Sequence, residues 1–211
     1  HGWNVFALDL PGHGRSGGTP HASIEDSAQW LVRFLDATNI AQTALVGHSM
    51  GSLISLEAAA LAPERITKLA LLGTAAPMTV GEGLLNAARA NDTAAHDMVT
   101  IWGHRSRSGA NPNPGMWMMG YNLRLNERAG DNVLFTDLNA CNSYKIALER
   151  ATRVQCPALV IAGQRDIMTP AKAAQALAKA LPNSKAVSVD AGHALMSEQP
   201  DAVLDALRAF L

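Results

Sequence analysis

The sequence predicts an α/β protein, a mostly parallel sheet with helices on both faces, interrupted by a block of helices. Three observations carry this. Short apolar runs alternate with amphipathic helical stretches at both ends of the chain, the pattern of a parallel sheet covered on both faces. Between them, residues 75–153 contain no convincing strand. Finally, Thr43-Ala44-Leu45-Val46 passes through Gly47-His48-Ser49-Met50-Gly51 directly into a helix, so that a G-x-S-x-G pentapeptide joins a strand to a helix.

In chain order, Val5-Phe6-Ala7-Leu8 reads as a buried strand, and Asp9 to Gly18 is too rich in Gly and Pro to be anything but turns. Ser23 and Asp26 form a capping pair for an amphipathic helix over 24–37, whose buried face carries Trp30, Leu31, Phe34 and Leu35. The Thr43 strand and a helix over 52–62 follow, the latter stopped by Pro63. Lys68 to Leu72 is the next strand. Helical patches are then expected over 82–89, 93–102, 116–125, 131–141 and 143–151, with the clearest break at 109–115. Strand texture returns at Ala158 to Gly163. Thr169-Pro170 is a good N-cap and N1 pair for a helix reaching Leu181. Ala186 to Val189 is the last strand, and Ser197 to Pro200 begins the closing helix. The insertion divides the chain into core segments 1–74 and 154–211 around a helical block at 75–153.

Composition narrows the function. With 48% hydrophobic residues, 211 residues suffice for one domain carrying an insertion. A formal net charge of -1 offers no electrostatic footprint for nucleic acid or an anionic membrane. No apolar run approaches transmembrane length. Two cysteines, Cys141 and Cys156, in unrelated segments argue against a disulfide framework and fit a reducing, cytoplasmic location. No CxxC or HExxH spacing indicates a metal.

The chemistry is expected where strands end, because ligands of open α/β sheets bind outside the carboxyl ends of the strands. Ser49, Asp166 and His193 all fall at such ends. A serine in a sharp strand-to-helix turn is pushed out of the fold, with glycines on either side where a Cβ would clash. Its hydroxyl needs a base, and a neutral imidazole suits that task near pH 7. A buried carboxylate fixes the imidazole tautomer and stabilises the imidazolium. Asp190, close to His193, is the reserve acid. His13 shapes a turn, and His21, His96 and His104 lie in or near solvated segments as bystanders.

Four segments together, Asp9 to Ser16, Gly47 to Gly51, Gly163 to Asp166 and Gly192-His193, make the chain resemble an α/β-hydrolase-fold serine hydrolase of the single-chain bacterial type with a helical cap. The order Ser, Asp, His agrees with that family. The resemblance implies Ser49 as nucleophile, His193 as base, Asp166 as acid, Met50 N–H as one oxyanion donor, and no cofactor. It also implies that the first strands of the fold and the second oxyanion donor are missing. The chain opens on His1-Gly2 with neither an initiator Met nor a leader, and the absent third strand would lie between the Val5 and Thr43 strands. A truncated, catalytically compromised chain is the resulting expectation.

A serine in the elbow argues against the family members that use aspartate there. A small or medium, fairly apolar ester or related acyl compound is the expected substrate, with His48, Trp102, Trp117 and Met118 as candidate pocket residues. The Met and Trp residues serve equally as glue between cap and core, and His48 equally as a structural residue beneath the serine. A C–C bond hydrolase of ring-cleavage products is the rival enzyme and needs a carboxylate-binding cap, for which Arg105, Arg124 and Arg128 are the candidates. A non-catalytic binding module, or a fragment active only within a longer chain or assembly, are the rivals from other classes. The oligomeric state is not legible.

Overall fold

The computed structural model describes residues 2–104 and 115–211. The Gly/Pro-rich break expected from residue 109 and the candidate Arg105 lie outside the described residues, apart from Gly115. Four strands, β1 (Thr43–His48), β2 (Ile66–Leu72), β3 (Ala158–Gly163) and β4 (Ser184–Val189), form one parallel sheet in the order β1-β2-β3-β4.

The sheet's two faces follow from the period of two along each strand. Leu69 and Leu71 of β2, with Ala158 and Val160 of β3, join the larger core. There they meet α1 (Ile24–Ala37), α2 (Met50–Leu61) and α8 (Ala171–Ala180). The alternate residues Ala70, Leu72, Leu159 and Ile161 face a second core with Leu195 of α9 (Leu195–Glu198) and Val203 of α10 (Pro200–Phe210). Both faces of the central strands are therefore apolar, as burial on two sides requires. Ser23 caps α1, its Oγ accepting from Asp26 N–H at 3.0 Å.

Among the described residues, five helices lie between β2 and β3: α3 (Glu82–Arg89), α4 (Thr93–Trp102), α5 (Met118–Glu127), α6 (Val133–Ser143) and α7 (Ala147–Ala151). Leu84, Ala88 and Ala95 form a small core of their own, with Leu134 and Phe135 of α6 against them. The far end of α6 and α7 bind back to α2. There Tyr144 Oη donates to buried Glu57 at 2.5 Å, and Arg150 Nε lies 2.9 Å from the same carboxylate.

Two expectations are corrected. Val5–Leu8 is not a strand. It pairs with no neighbour among the described residues, and Val5 and Phe6 are 84% and 61% exposed. A strand exists through its ladder, and among the described residues β1 is bonded on one side alone, to β2. The segment rests instead on α1, Phe6 meeting Phe34 edge-on with ring centroids 6.4 Å apart. The helix expected from Thr169-Pro170 begins at Ala171 with Pro170 as N-cap, because the Thr169 hydroxyl is engaged elsewhere.

Candidate active site

Ser49 stands where β1 turns into α2, with φ 52° and ψ −121°. A non-glycine residue at positive φ is strained and is held there by its surroundings. Its N–H is bonded to Leu72 O of β2 at 3.0 Å, and its carbonyl accepts from Ser52 Oγ at 2.5 Å. The two flanking glycines differ. A Cβ on Gly47 would lie 2.2 Å from Gly51 O and 2.6 Å from Ser55 Oγ, whereas one on Gly51 would meet nothing within 4 Å. Steric necessity therefore rests on Gly47, and the expected clash at Gly51 is absent.

The turn brings Ser49 Oγ to 2.8 Å from His193 Nε2, and His193 Nδ1 lies 2.8 Å from Asp166 Oδ2. A carboxylate accepts, so Nδ1 carries the proton. Nε2 is then the acceptor, and the serine hydroxyl donates to it. Asp166 is buried and has four donors. Its Oδ1 takes the N–H groups of Met168 and Thr169, and its Oδ2 takes Thr169 Oγ1 and His193 Nδ1. Burial alone would raise this carboxyl, but His193 and Thr169 outweigh it and hold Asp166 below its ordinary range. The reserve acid Asp190 pairs with Arg165 at 2.6 Å.

The loop bearing His193 is fixed from several sides. Gly192 N–H is bonded to the buried carboxylate of Glu198 at 3.2 Å, and Ala194 N–H donates to Gly103 O at 2.8 Å, tying the loop to the end of α4. His48 Nε2–H donates to His193 O at 2.8 Å. Burial, with His193 beside it, pushes His48 down to about 4, so it remains a neutral donor at pH 7. Met50, the first residue of α2, has an N–H with no acceptor within its own helix, next to the serine.

Among the described residues, two cavities open on Ser49 and His193. One, about 280 Å³, is bounded by His48, Thr100, Asn122, Asn126 and Leu134. The second, about 230 Å³, is bounded by Met50, Val80, Leu84, Trp102 and Ile167. Leu138 and Met168 belong to both walls. Of the candidate pocket residues, His48 and Trp102 thus reach a cavity. Trp117 and Met118 line neither: Trp117 is 69% exposed, its ring covering Gly120, and Met118 is half-buried at the start of α5. His104, expected to be solvated, is 8% exposed and bonded to Thr100 O. His13, expected only to shape its turn, also reaches across to Asp137 of α6 at 2.8 Å, and Asp137 lies in the wall of the second cavity.

Sequence reasoning missed Thr169, Asp137, Thr100 and Asn122. Only Thr169 carried a local signal, three residues after Asp166, where a side-chain carboxylate captures turn amides. Among the described residues no group of three His, Cys, Asp or Glu side chains is arranged to hold a metal. No described helix is long and apolar enough to cross a membrane.

A serine in a strained strand–helix turn, facing a histidine and a buried aspartate at the carboxyl ends of a parallel sheet, defines the class of hydrolases built on α/β sheets. The family model described as alpha/beta hydrolase fold matches residues 1–200, and the chain belongs to that family. It is 28% identical to the dihydrolipoyllysine-residue acetyltransferase component of the acetoin cleaving system of Pseudomonas putida, over 98% of this chain and 56% of that protein. It is also 28% identical to a putative carbamate hydrolase, RutD, of Klebsiella pneumoniae, over 91% of this chain and 75% of that one. The chain thus spans little more than half of the first of these relatives. Among solved structures, a thermophilic esterase superposes with a TM-score of 0.83 at 27% identity, covering 96% of this chain and 78% of the esterase.

Proposed function

We propose that the chain is a serine hydrolase that cleaves a small or medium, fairly apolar ester or related acyl compound through an acyl-enzyme. The observation that carries this reading is the unbroken hydrogen-bonded chain from Ser49 Oγ through His193 to buried Asp166. His193 Nε2 takes the serine proton as Oγ bonds to the carbonyl carbon, and Asp166 stabilises the imidazolium. Met50 N–H meets the developing oxyanion. Collapse expels the alcohol, which receives the proton from His193. Water, deprotonated by the same imidazole, then attacks the acyl-enzyme, and the acid leaves with Ser49 restored. These residues need no cofactor for that sequence. Residues 75–153 act as a cap over the sheet end, and the unpaired Cys141 and Cys156 accord with a cytoplasmic location.

The acyl reading is favoured over C–C bond cleavage by the cavity walls. Arg124 is paired with Glu127 and 70% exposed, and neither it nor Arg128 lines a cavity. The described walls therefore offer no cation for a substrate carboxylate. Rapid mixing with p-nitrophenyl butyrate tests the proposal. A burst of p-nitrophenolate matched by a butyryl adduct on Ser49 is expected. Turnover without that adduct would contradict it.

A further inference from the structure

Both cavities at Ser49 are lined mostly by apolar surface. In the second, the polar side chains of Asp137 and Thr169 are engaged within the protein, by His13 at 2.8 Å and by Asp166 at 2.6 Å. What separates the two cavities is their outer margin. Met78, Leu84 and Cys141 make the buried part of the second wall, but Trp102 and Ile167 in the same wall are 39% and 66% exposed. Among the described residues lining the first cavity, Leu125 alone is a large apolar side chain that is exposed, at 47%.

The backbone around both exposed residues is fixed. Ile167 lies inside the turn of the acid, where Asp166 Oδ1 takes the N–H groups of Met168 and Thr169 at 2.8 Å each. Trp102 ends α4, and Gly103 after it donates its N–H to Val99 O and accepts Ala194 N–H. Ile167 belongs to the core and Trp102 to the insertion. Apolar surface left in water is favourably covered by another apolar group. Because both side chains also line the cavity, the group suited to cover them is the outer part of a chain whose inner part fills it.

We propose that Trp102 and Ile167 form an apolar lip that carries the outer end of a linear alkyl chain, and that both residues determine chain-length specificity. The substrate class is then esters or related acyl compounds with one medium-length alkyl arm that outgrows the second cavity. Burying a methylene completely is worth about fourfold in affinity, and covering it on one side about twofold. Affinity should therefore go on rising after the cavity is full, with a shallower gain per carbon. This rests on the hydrolase reading above.

Butyl, octyl and dodecyl trifluoromethyl ketones test it as inhibitors of p-nitrophenyl butyrate hydrolysis, each below its aggregation concentration. Ser49 Oγ adds to the ketone carbon, the serine proton passes to His193, and the carbonyl oxygen takes the negative charge. The trifluoromethyl group is small, so the alkyl arm reports on the cavity it enters. The dodecyl ketone is expected to bind about tenfold more tightly than the octyl ketone, the value of four half-covered methylenes. That ratio is internal to each enzyme and insensitive to partial loss of folded protein. It should fall several-fold in Trp102→Ala and in Ile167→Asp, and persist in Ile167→Leu and in Leu125→Asp at the other cavity. No gain from octyl to dodecyl in the wild type overturns the lip, as does a gain that survives either lip variant unchanged or is abolished by Leu125→Asp. In each of those cases cleavage of p-nitrophenyl butyrate leaves the hydrolase intact. Failure to cleave that ester, with no ketone bound at Ser49, brings down the hydrolase reading itself, and the lip with it.

Discussion

The Thr169 hydroxyl donates to Asp166 Oδ2 at 2.6 Å, the same oxygen that holds His193 Nδ1 at 2.8 Å. Thr169 Oγ1 also lies 3.1 Å from His193 Nδ1, so the threonine braces both partners of the buried pair. Removing it leaves the carboxylate with one donor fewer in a site without water access. Thr169→Val is expected to lower kcat about tenfold and stability by about 1–2 kcal/mol, and Thr169→Ser to restore most of both. Equal losses in the valine and serine variants would assign Thr169 to packing alone.

The two glycines of the elbow make a steric pair with opposite expectations. Gly47→Ala drives a Cβ into the Gly51 carbonyl at 2.2 Å, and is expected to destabilise by about 2 kcal/mol or more. Gly51→Ala finds open space and, within a helix, should be neutral or slightly stabilising. Denaturant midpoints of the two variants check this. The reverse order of stability would mean that the turn is differently packed.

Acid should weaken the fold through His48. Its folded value of about 4 lies below the ordinary 6.5, so the folded chain binds fewer protons than the unfolded one between those limits. Stability accordingly falls as pH drops from 6.5 towards 4. Asp166 adds to this at lower pH. Its depressed carboxyl contributes stability that is present above the unfolded carboxylate value and is lost as pH falls through the folded one. His48→Gln retains an N–H donor and removes the titration. Its midpoint should therefore vary less with pH across that window than that of the wild type.

His13 has the opposite sign. The hydrogen bond to Asp137 is the main cause that raises it, outweighing its partial burial. The pair's contribution is therefore complete below the unfolded histidine value and disappears as pH rises through the raised folded one. At 25% and 22% side-chain exposure it is worth about 1 kcal/mol or less. Asp137→Asn should cost that amount at about pH 5, where the imidazole is charged and carboxylates are ordinarily ionised, and little at high pH, in unfolding measured across the range.

What the sequence revealed was what local patterns encode. The strand before Ser49, the glycine before His193 and the strand ahead of Asp166 placed three polar side chains at one sheet end, because period and turn chemistry act within a few residues. Asp166 over Asp190 was legible for the same reason, as it follows the buried β3 directly. Val5–Leu8 misled because an apolar run encodes the capacity to be a strand, while the ladder depends on a neighbour that no local pattern reports. Thr100, His104 and Asn122 were illegible for a related reason. Their meeting depends on how α4 and α5 pack in the insertion, where helical periodicity shows which face is apolar but not what faces it.

Ser49 is proposed as a nucleophile activated by His193, and labelling by a fluorophosphonate probe tests that most directly. The probe should attach to the wild-type chain at Ser49, attach to neither Ser49→Ala nor His193→Ala, and attach more slowly to Asp166→Asn. A folded wild-type chain that stays unlabelled, or one labelled equally with His193 replaced, would contradict the account.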